Sequence, residues 1–256
     1  IFSSKQLHGK PLSYNNINDT EAAVEIINEL EFFKLPSVVI IKHANPSGVA
    51  INKNLKMAYK NALKCDPISA FGGIIATNRK INVDIAKELN KTFTEVIIAP
   101  EYDDEALIIL KKNQNLRLLE NKNLTNLDYA DHLIKSISGG YLVQDRDIET
   151  VSENNLKIVT KLNPTIEQTS DLLFAFKVAK HVKSNAIVYA KNLATVGIGA
   201  GQMSRLDSAF IAAHKSNVAA QESNLEQKLT INSVAASDAF FPFPDGLETV
   251  VNAGAK

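Results

Sequence analysis

An α/β fold is predicted for this 256-residue chain from three observations. Continuous apolar runs such as "SVVIIK" and "EVIIA" alternate with stretches whose apolar residues recur at helical spacing. The runs are apolar on both faces, as in strands covered by helices on either side. The patterning weakens over roughly residues 120–150, which divides the chain into two lobes, 1–130 and 131–256.

The first helix is read in "NDTEAAVEIINELEFF", with Asp19 and Thr20 as candidate caps and Ala23, Ile26, Ile27, Leu30 and Phe33 on its apolar face. "SVVIIK" follows as a buried strand, then a helix over 53–64, the turn "DPISAFGG" and a strand at "GIIAT". A helix over 83–92 leads to the strand "EVIIA", which Pro100 stops, and 103–113 reads as helix. "SISGGYLVQD" reads as a turn entering a strand. A long amphipathic helix over 165–183 precedes the strands "NAIVYAK" and "ATVGIG", which flank a turn at Asn192. The helix "SRLDSAFIAAHKSNVAA" is capped by Ser204, with Asp207 at the capping-box position. No internal repeat is read in the chain.

Lys and Arg number 28 and Asp and Glu number 28, so neither a nucleic-acid nor a membrane surface is expected as the main partner. No apolar run approaches the roughly 18 residues of a membrane span, and the first residues lack a signal-peptide pattern. Cys65 is the only cysteine; no disulfide forms within the chain, which fits a reducing, cytoplasmic location. Asn18, Asn90 and Asn123 lie in N-x-[ST] patterns read as chance matches.

Several stretches carry chemistry. In "VVIIKHANPSG" a buried strand runs into Lys42 and His43 and then a turn. Ligands collect at strand ends in α/β sheets, an imidazole exchanges protons near neutrality, and a neighbouring ammonium steadies a developing oxyanion. A polar strand end with a capped turn fits the same residues. "TVGIGAGQMSR" gives Gly197, Gly199 and Gly201 but places Gln202 where the dinucleotide fingerprint needs glycine, so a nicotinamide cofactor is rejected. What stands is either a tight strand-to-helix turn or an anion site at the start of the helix beside Arg205. "SDAFFPFPDG" is an aromatic loop with Asp238 and Asp245 as acceptors, suited to a flat heterocycle or simply to a satellite cluster. Asn185, in "VKSNAIVYAK", either binds a substrate or caps its turn. His8, His132, His181 and His214 show no metal-ligand spacing, and the elements of a zinc deaminase site are lacking.

Taken together, "KQLHGKPLSYNNIND", "IKHANPSGVA", "DPISAFGGIIATNR", "EVIIAP", "SGGYLVQD", "VKSNAIVYAK", "VGIGAGQMSR" and "SDAFFPFPDG" resemble, in order, the transformylase domain of the bifunctional AICAR formyltransferase/IMP cyclohydrolase family. The resemblance implies a two-lobed, cytidine-deaminase-like α/β/α architecture without the deaminase zinc. It implies formyl transfer from 10-formyltetrahydrofolate, as cosubstrate, to the 5-amino group of AICAR, giving FAICAR and tetrahydrofolate in IMP biosynthesis. It further implies a homodimer with sites at the subunit interface, a structural monovalent cation and no metal in the active site. A non-catalytic fragment that binds only nucleotide or folate is the competing expectation.

By the same resemblance Lys42, His43 and Asn185 are catalytic, and Asn16, Glu95 and Arg205 contact the nucleotide. Phe71, Gly72, Leu206, Phe240, Pro242 and Asp245 form the folate side. Ser47 stands where many family members have cysteine. The family's arginine-bearing upstream segment, its last strands and its cyclohydrolase domain are expected to lie outside these 256 residues.

Overall fold

The computed structural model describes residues 3–126 and 131–256. Its elements run β1 (Lys5–His8), α1 (Tyr14–Leu30), β2 (Ser37–Lys42), β3 (Asn45–Ile51), α2 (Leu55–Cys65), α3 (Pro67–Ala70), β4 (Gly73–Thr77), α4 (Val83–Leu89), β5 (Thr94–Ala99), α5 (Asp104–Leu110) and β6 (Arg117–Glu120). There follow β7 (His132–Ile137), β8 (Gly140–Asp145), α6 (Ile166–Lys180), β9 (Ile187–Lys191), β10 (Ala194–Gly199), α7 (Arg205–Glu222), β11 (Val234–Ser237) and α8 (Pro244–Asn252).

Nine strands from both halves of the chain form one mixed sheet, ordered β1-β6-β5-β4-β2-β3-β10-β9-β11. Only β4–β5 and β5–β6 pair in parallel. The apolar runs explain the layering, because successive side chains of a strand face opposite sides. Val39 and Ile41 pack with α1 and α6 on one face, while Val38 and Ile40 pack with α2 and α4 on the other. This is the α/β/α sandwich that the sequence predicts. Its lobe boundary, near residue 130, lies outside the described residues.

The expected start of the first helix is corrected. Helix α1 begins at Tyr14, where Ser13 accepts from the Asn16 amide and Asn16 accepts from the Ser13 amide; Asp19 and Thr20 therefore lie inside the helix rather than at its cap. As expected, "SISGGYLVQD" is a turn entering a strand, β8, which pairs with β7 in a separate hairpin exposed along its whole length.

The chain also contains an internal repeat, α1-β2-β3-α2 matched by α6-β9-β10-α7. Ser13 with Asn16 and Thr165 with Gln168 form equivalent capping boxes. Six residues beyond each cap an aspartate holds the hairpin turn of its own repeat. Asp19 accepts from the His43 and Ala44 amides at 3.1 and 2.9 Å. Asp171 accepts from the Asn192 and Leu193 amides at 2.9 and 2.7 Å. All four of these turn residues have positive φ, between 51° and 57°. Helix α1 and strand β2, with 17 and 6 residues, are longer than α6 and β9, with 15 and 5, so the offset between the repeats changes from helix cap to hairpin turn. The repeat therefore escapes a comparison at fixed period.

Glycine marks a close helix–sheet approach at the matching position of each repeat. A Cβ on Gly48 would lie 1.9 Å from the Ala62 carbonyl oxygen, and one on Gly197 would lie 2.5 Å from that of Ala212. Backbone cannot yield as a flexible side chain does. Gly48→Ala is therefore expected to destabilise the fold by about 1–3 kcal/mol or more, read as a lower denaturation midpoint. An unchanged midpoint would mean that α2 is free to move away.

Candidate active site

The repeat halves meet through β3 and β10, which run antiparallel with Ala50 opposite Ala194. The β2–β3 turn consequently faces the C-terminal end of β10 and the start of α7. Between them lies a cavity of about 280 Å³ lined by Lys42, His43, Ser47, Asp66, Gln202 and Lys215, among others. Strand β2 ends here because its last buried residue, Ile41, is followed by two polar residues and a left-handed turn.

Each polar group of the turn has a defined setting. The Lys42 ammonium donates to the Phe71 carbonyl oxygen at 2.6 Å. Gly72 makes room for it, since a Cβ there would stand 3.2 Å from Nζ, and its φ of +68° suits glycine. His43 is exposed and lines the cavity, while Asp19 fixes its backbone. Asn45 accepts from the Lys183 amide at 3.0 Å and so ties this turn to the segment that enters β9. Ser47 is buried and donates to the Ile40 carbonyl oxygen at 3.3 Å.

The loop that presents the Phe71 carbonyl is itself anchored. Asp66 caps α3 by accepting from the Ser69 amide at 3.0 Å. Lys215, from α7, reaches across to Asp66 at 2.6 Å. Burial tends to raise the Asp66 pKa, but hydrogen bonds from Lys215 and Ser69 outweigh it and hold the carboxyl below its ordinary range. Lys215, Asp66, the α3 turn, the Phe71 carbonyl and Lys42 thus form one chain of contacts between the repeats.

The other residues singled out by sequence form separate groups outside the lining of this cavity. Asn185 donates to the Gln202 carbonyl oxygen at 2.9 Å, and Gln202 lines the cavity. Asn16, buried, donates to Glu95 at 2.8 Å. Glu95 follows Thr94, which pairs with Gly73, so this couple stands at the same sheet end as Gly72. Arg205 pairs with Asp238 at 3.3 Å, and its buried Nε has no hydrogen-bond partner among the described residues. Asp238 also accepts from the Ser184 hydroxyl and the Ala186 amide, so its acceptor capacity is largely engaged within the chain.

On the expected folate side, Phe71, Leu206, Phe240, Pro242 and Asp245 are exposed, and none of them lines the cavity. Of the three phenylalanines in the aromatic loop, only Phe241 packs inward, against the cluster under α7 and α8 and onto Gly246. Sequence reasoning gave Asp19 the role of a helix cap and missed the roles of Asp66 and Lys215. Asp19 carried a usable signal, a charged residue six positions past a capping serine on a helix with an apolar face. Lys215 carried none, because a lysine on a surface helix is ordinary.

Comparison with known proteins places this geometry in a family. The family model described as AICARFT/IMPCHase bienzyme matches residues 1–215. The chain belongs to the AICARFT/IMPCHase bienzyme family. It is 56% identical over 255 residues to the bifunctional purine biosynthesis protein PurH of Mesorhizobium japonicum, covering all of this chain and 47% of that protein. The PurH proteins of Parvibaculum lavamentivorans and Rhodospirillum rubrum are 55% and 54% identical, again over the whole chain and 48% of each protein. The chain thus spans about half the length of the family members it matches. Among the described residues no helix is long and apolar enough to cross a membrane.

Proposed function

We propose that this chain carries the formyl-transfer step of its family: transfer from 10-formyltetrahydrofolate to the 5-amino group of AICAR, giving FAICAR and tetrahydrofolate in purine biosynthesis. The observation that carries the reading is the cavity where Lys42 and His43, at a strand end of one repeat, face the strand end and helix of the other. A proton-exchanging imidazole and a fixed ammonium then share one concave site, as a transfer that both removes and delivers protons requires.

The AICAR amine is a weak nucleophile, since its lone pair is delocalised into a ring bearing a carboxamide. His43 takes the amine proton as nitrogen attacks the formyl carbon. Lys42 steadies the tetrahedral oxyanion, or passes a proton to the departing folate nitrogen. Asn185 orients the amine or the imidazole through its place beside Gln202. Asn16 and Glu95 hold the nucleotide, and the unpartnered Nε of Arg205 offers a donor to its carboxamide or phosphate. Phe71, Gly72, Leu206, Phe240, Pro242 and Asp245 form the folate side, which a homodimer partner helps to enclose. Both lobes, 1–130 and 131–256, supply residues, and the cyclohydrolase reaction belongs to another part of the longer protein. No step runs through the monovalent cation that the resemblance implies. A cytoplasmic location fits this role.

One observation favours a second reading. Phe71, Leu206, Phe240, Pro242 and Asp245 are exposed and do not line the cavity, which suits a segment that binds nucleotide or folate without turnover. Folate-dependent FAICAR formation by the 256-residue chain, beside the same assay on the full-length protein, separates the two. Turnover by the short chain supports catalysis within it, and turnover by the full-length protein alone supports the binding reading.

Lys215→Ala in the full-length protein is expected to lower kcat up to about 10²-fold with little change in either KM, because small misplacements of a reacting group cost rate rather than binding. Lys215→Arg should restore most of it. A rise in both KM values with kcat intact would instead make Lys215 a substrate contact.

A further inference from the structure

The internal repeat produces a second cavity, and its lining repeats the design of the first. Lys42 immediately precedes the left-handed pair held by Asp19; Lys191 immediately precedes the left-handed pair held by Asp171. The Lys42 ammonium donates to a carbonyl just ahead of β4, that of Phe71, at 2.6 Å. The Lys191 ammonium donates to a carbonyl just ahead of β11, that of Ile231, at 2.9 Å. The first cavity joins the β2–β3 turn to Ile211 and Lys215 of α7. The second joins the β9–β10 turn to Asn61 and Lys64 of α2, the matching helix of the other repeat, and to the loop after α7. Buried Cys65 borders both.

The two cavities differ in chemistry. Where the first has His43, the second has Asn192, an amide that donates and accepts hydrogen bonds but does not exchange protons near neutrality. Lys64, Lys191 and Lys228 line the second cavity with Glu226 as its one acid. Its volume of about 570 Å³ is that of a small-molecule site. Ammonium groups act as point charges that hold phosphate without needing a planar partner.

We propose that this second cavity binds a small phosphate-bearing anion. The proposal rests on the repeat and the lining, and stands or falls independently of the formyl-transfer reading.

The test is equilibrium dialysis of radiolabelled inorganic phosphate against the full-length protein and two double variants. Lys64 and Lys228 are exposed, so Lys64→Ala/Lys228→Ala should keep the fold, which an unchanged thermal midpoint verifies. Lys111→Ala/Lys112→Ala removes two exposed lysines remote from the cavity. The wild type and the Lys111/Lys112 variant are expected to bind about one more phosphate per chain than the Lys64/Lys228 variant, or to bind it at least about tenfold more tightly. Crystals soaked in selenate should show anomalous density between Lys64, Lys191 and Lys228. Equal phosphate binding by all three proteins, or an equal loss in both variants, would overturn the proposal, as would selenate density elsewhere only.

Discussion

His43→Ala in the full-length protein is expected to slow FAICAR formation by about 10²–10⁴-fold, the usual contribution of a positioned acid–base group. The fold should survive, because His43 is exposed and the turn is held by its backbone amides on Asp19. KM values for both substrates should change far less than kcat, since the interaction removed is one made mainly in the transition state. Normal turnover by the variant would remove His43 from the mechanism and leave Lys42 as the remaining proton carrier of the turn.

Glu29→Gln is expected to cost about 3–5 kcal/mol of stability, the range for breaking a buried ion pair by removing one partner. Glu29, on α1, accepts from Lys177 of α6 at 2.8 Å, and Lys177 is only 1% exposed, with its ammonium 4.3 Å from the Phe32 ring centroid. Lys180 approaches the same carboxylate at 3.3 Å. His181 stands 3.8 Å away, too far for a good hydrogen bond, and contributes charge only when protonated. Burial alone would raise the Glu29 pKa, yet His181, Lys177 and Lys180 outweigh it and hold the carboxyl at about 2 instead of its ordinary 4.5.

The sign follows from linkage. A depressed carboxyl pKa contributes stability that is fully present above about 4.5 and is lost as pH falls toward about 2. Denaturant midpoints measured across that window should therefore fall more steeply with acid for the wild type than for Glu29→Gln. Adding Lys177→Met to Glu29→Gln should recover much of the loss, because the stranded charge is gone. Parallel acid profiles for wild type and variant would show that Glu29 is not the group responsible.

The legible parts of this protein were those governed by local pattern. Strands β2, β4, β5, β9 and β10 follow from apolar runs bounded by turn residues, and α6 and α7 from helical periodicity, with Ser204 as the cap of α7. The Lys42–His43 strand end was legible because polar residues following a buried run mark where a sheet opens to solvent. What escaped depends on distance along the chain. Lys215 meets Asp66, and Arg205 meets Asp238, only after the sheet has assembled. The start of α1 was misplaced because "YNN" is a poor helix-forming run, and the Ser13–Asn16 capping box compensates for it. The repeat stayed hidden because it is conserved in geometry, two aspartates, two lysines and two glycines, rather than in apolar residues that any α/β sheet would share.

The central claim is that the Lys42–His43 turn is where the AICAR amine reacts. A crystal structure of the full-length protein with AICAR bound tests it most directly. The account predicts the 5-amino nitrogen within about 2.6–3.2 Å of the His43 ring, directly or through one water, with Lys42 on the side of the incoming formyl group. An amine seated away from both residues, in a site that leaves the β2–β3 turn facing solvent, would contradict it.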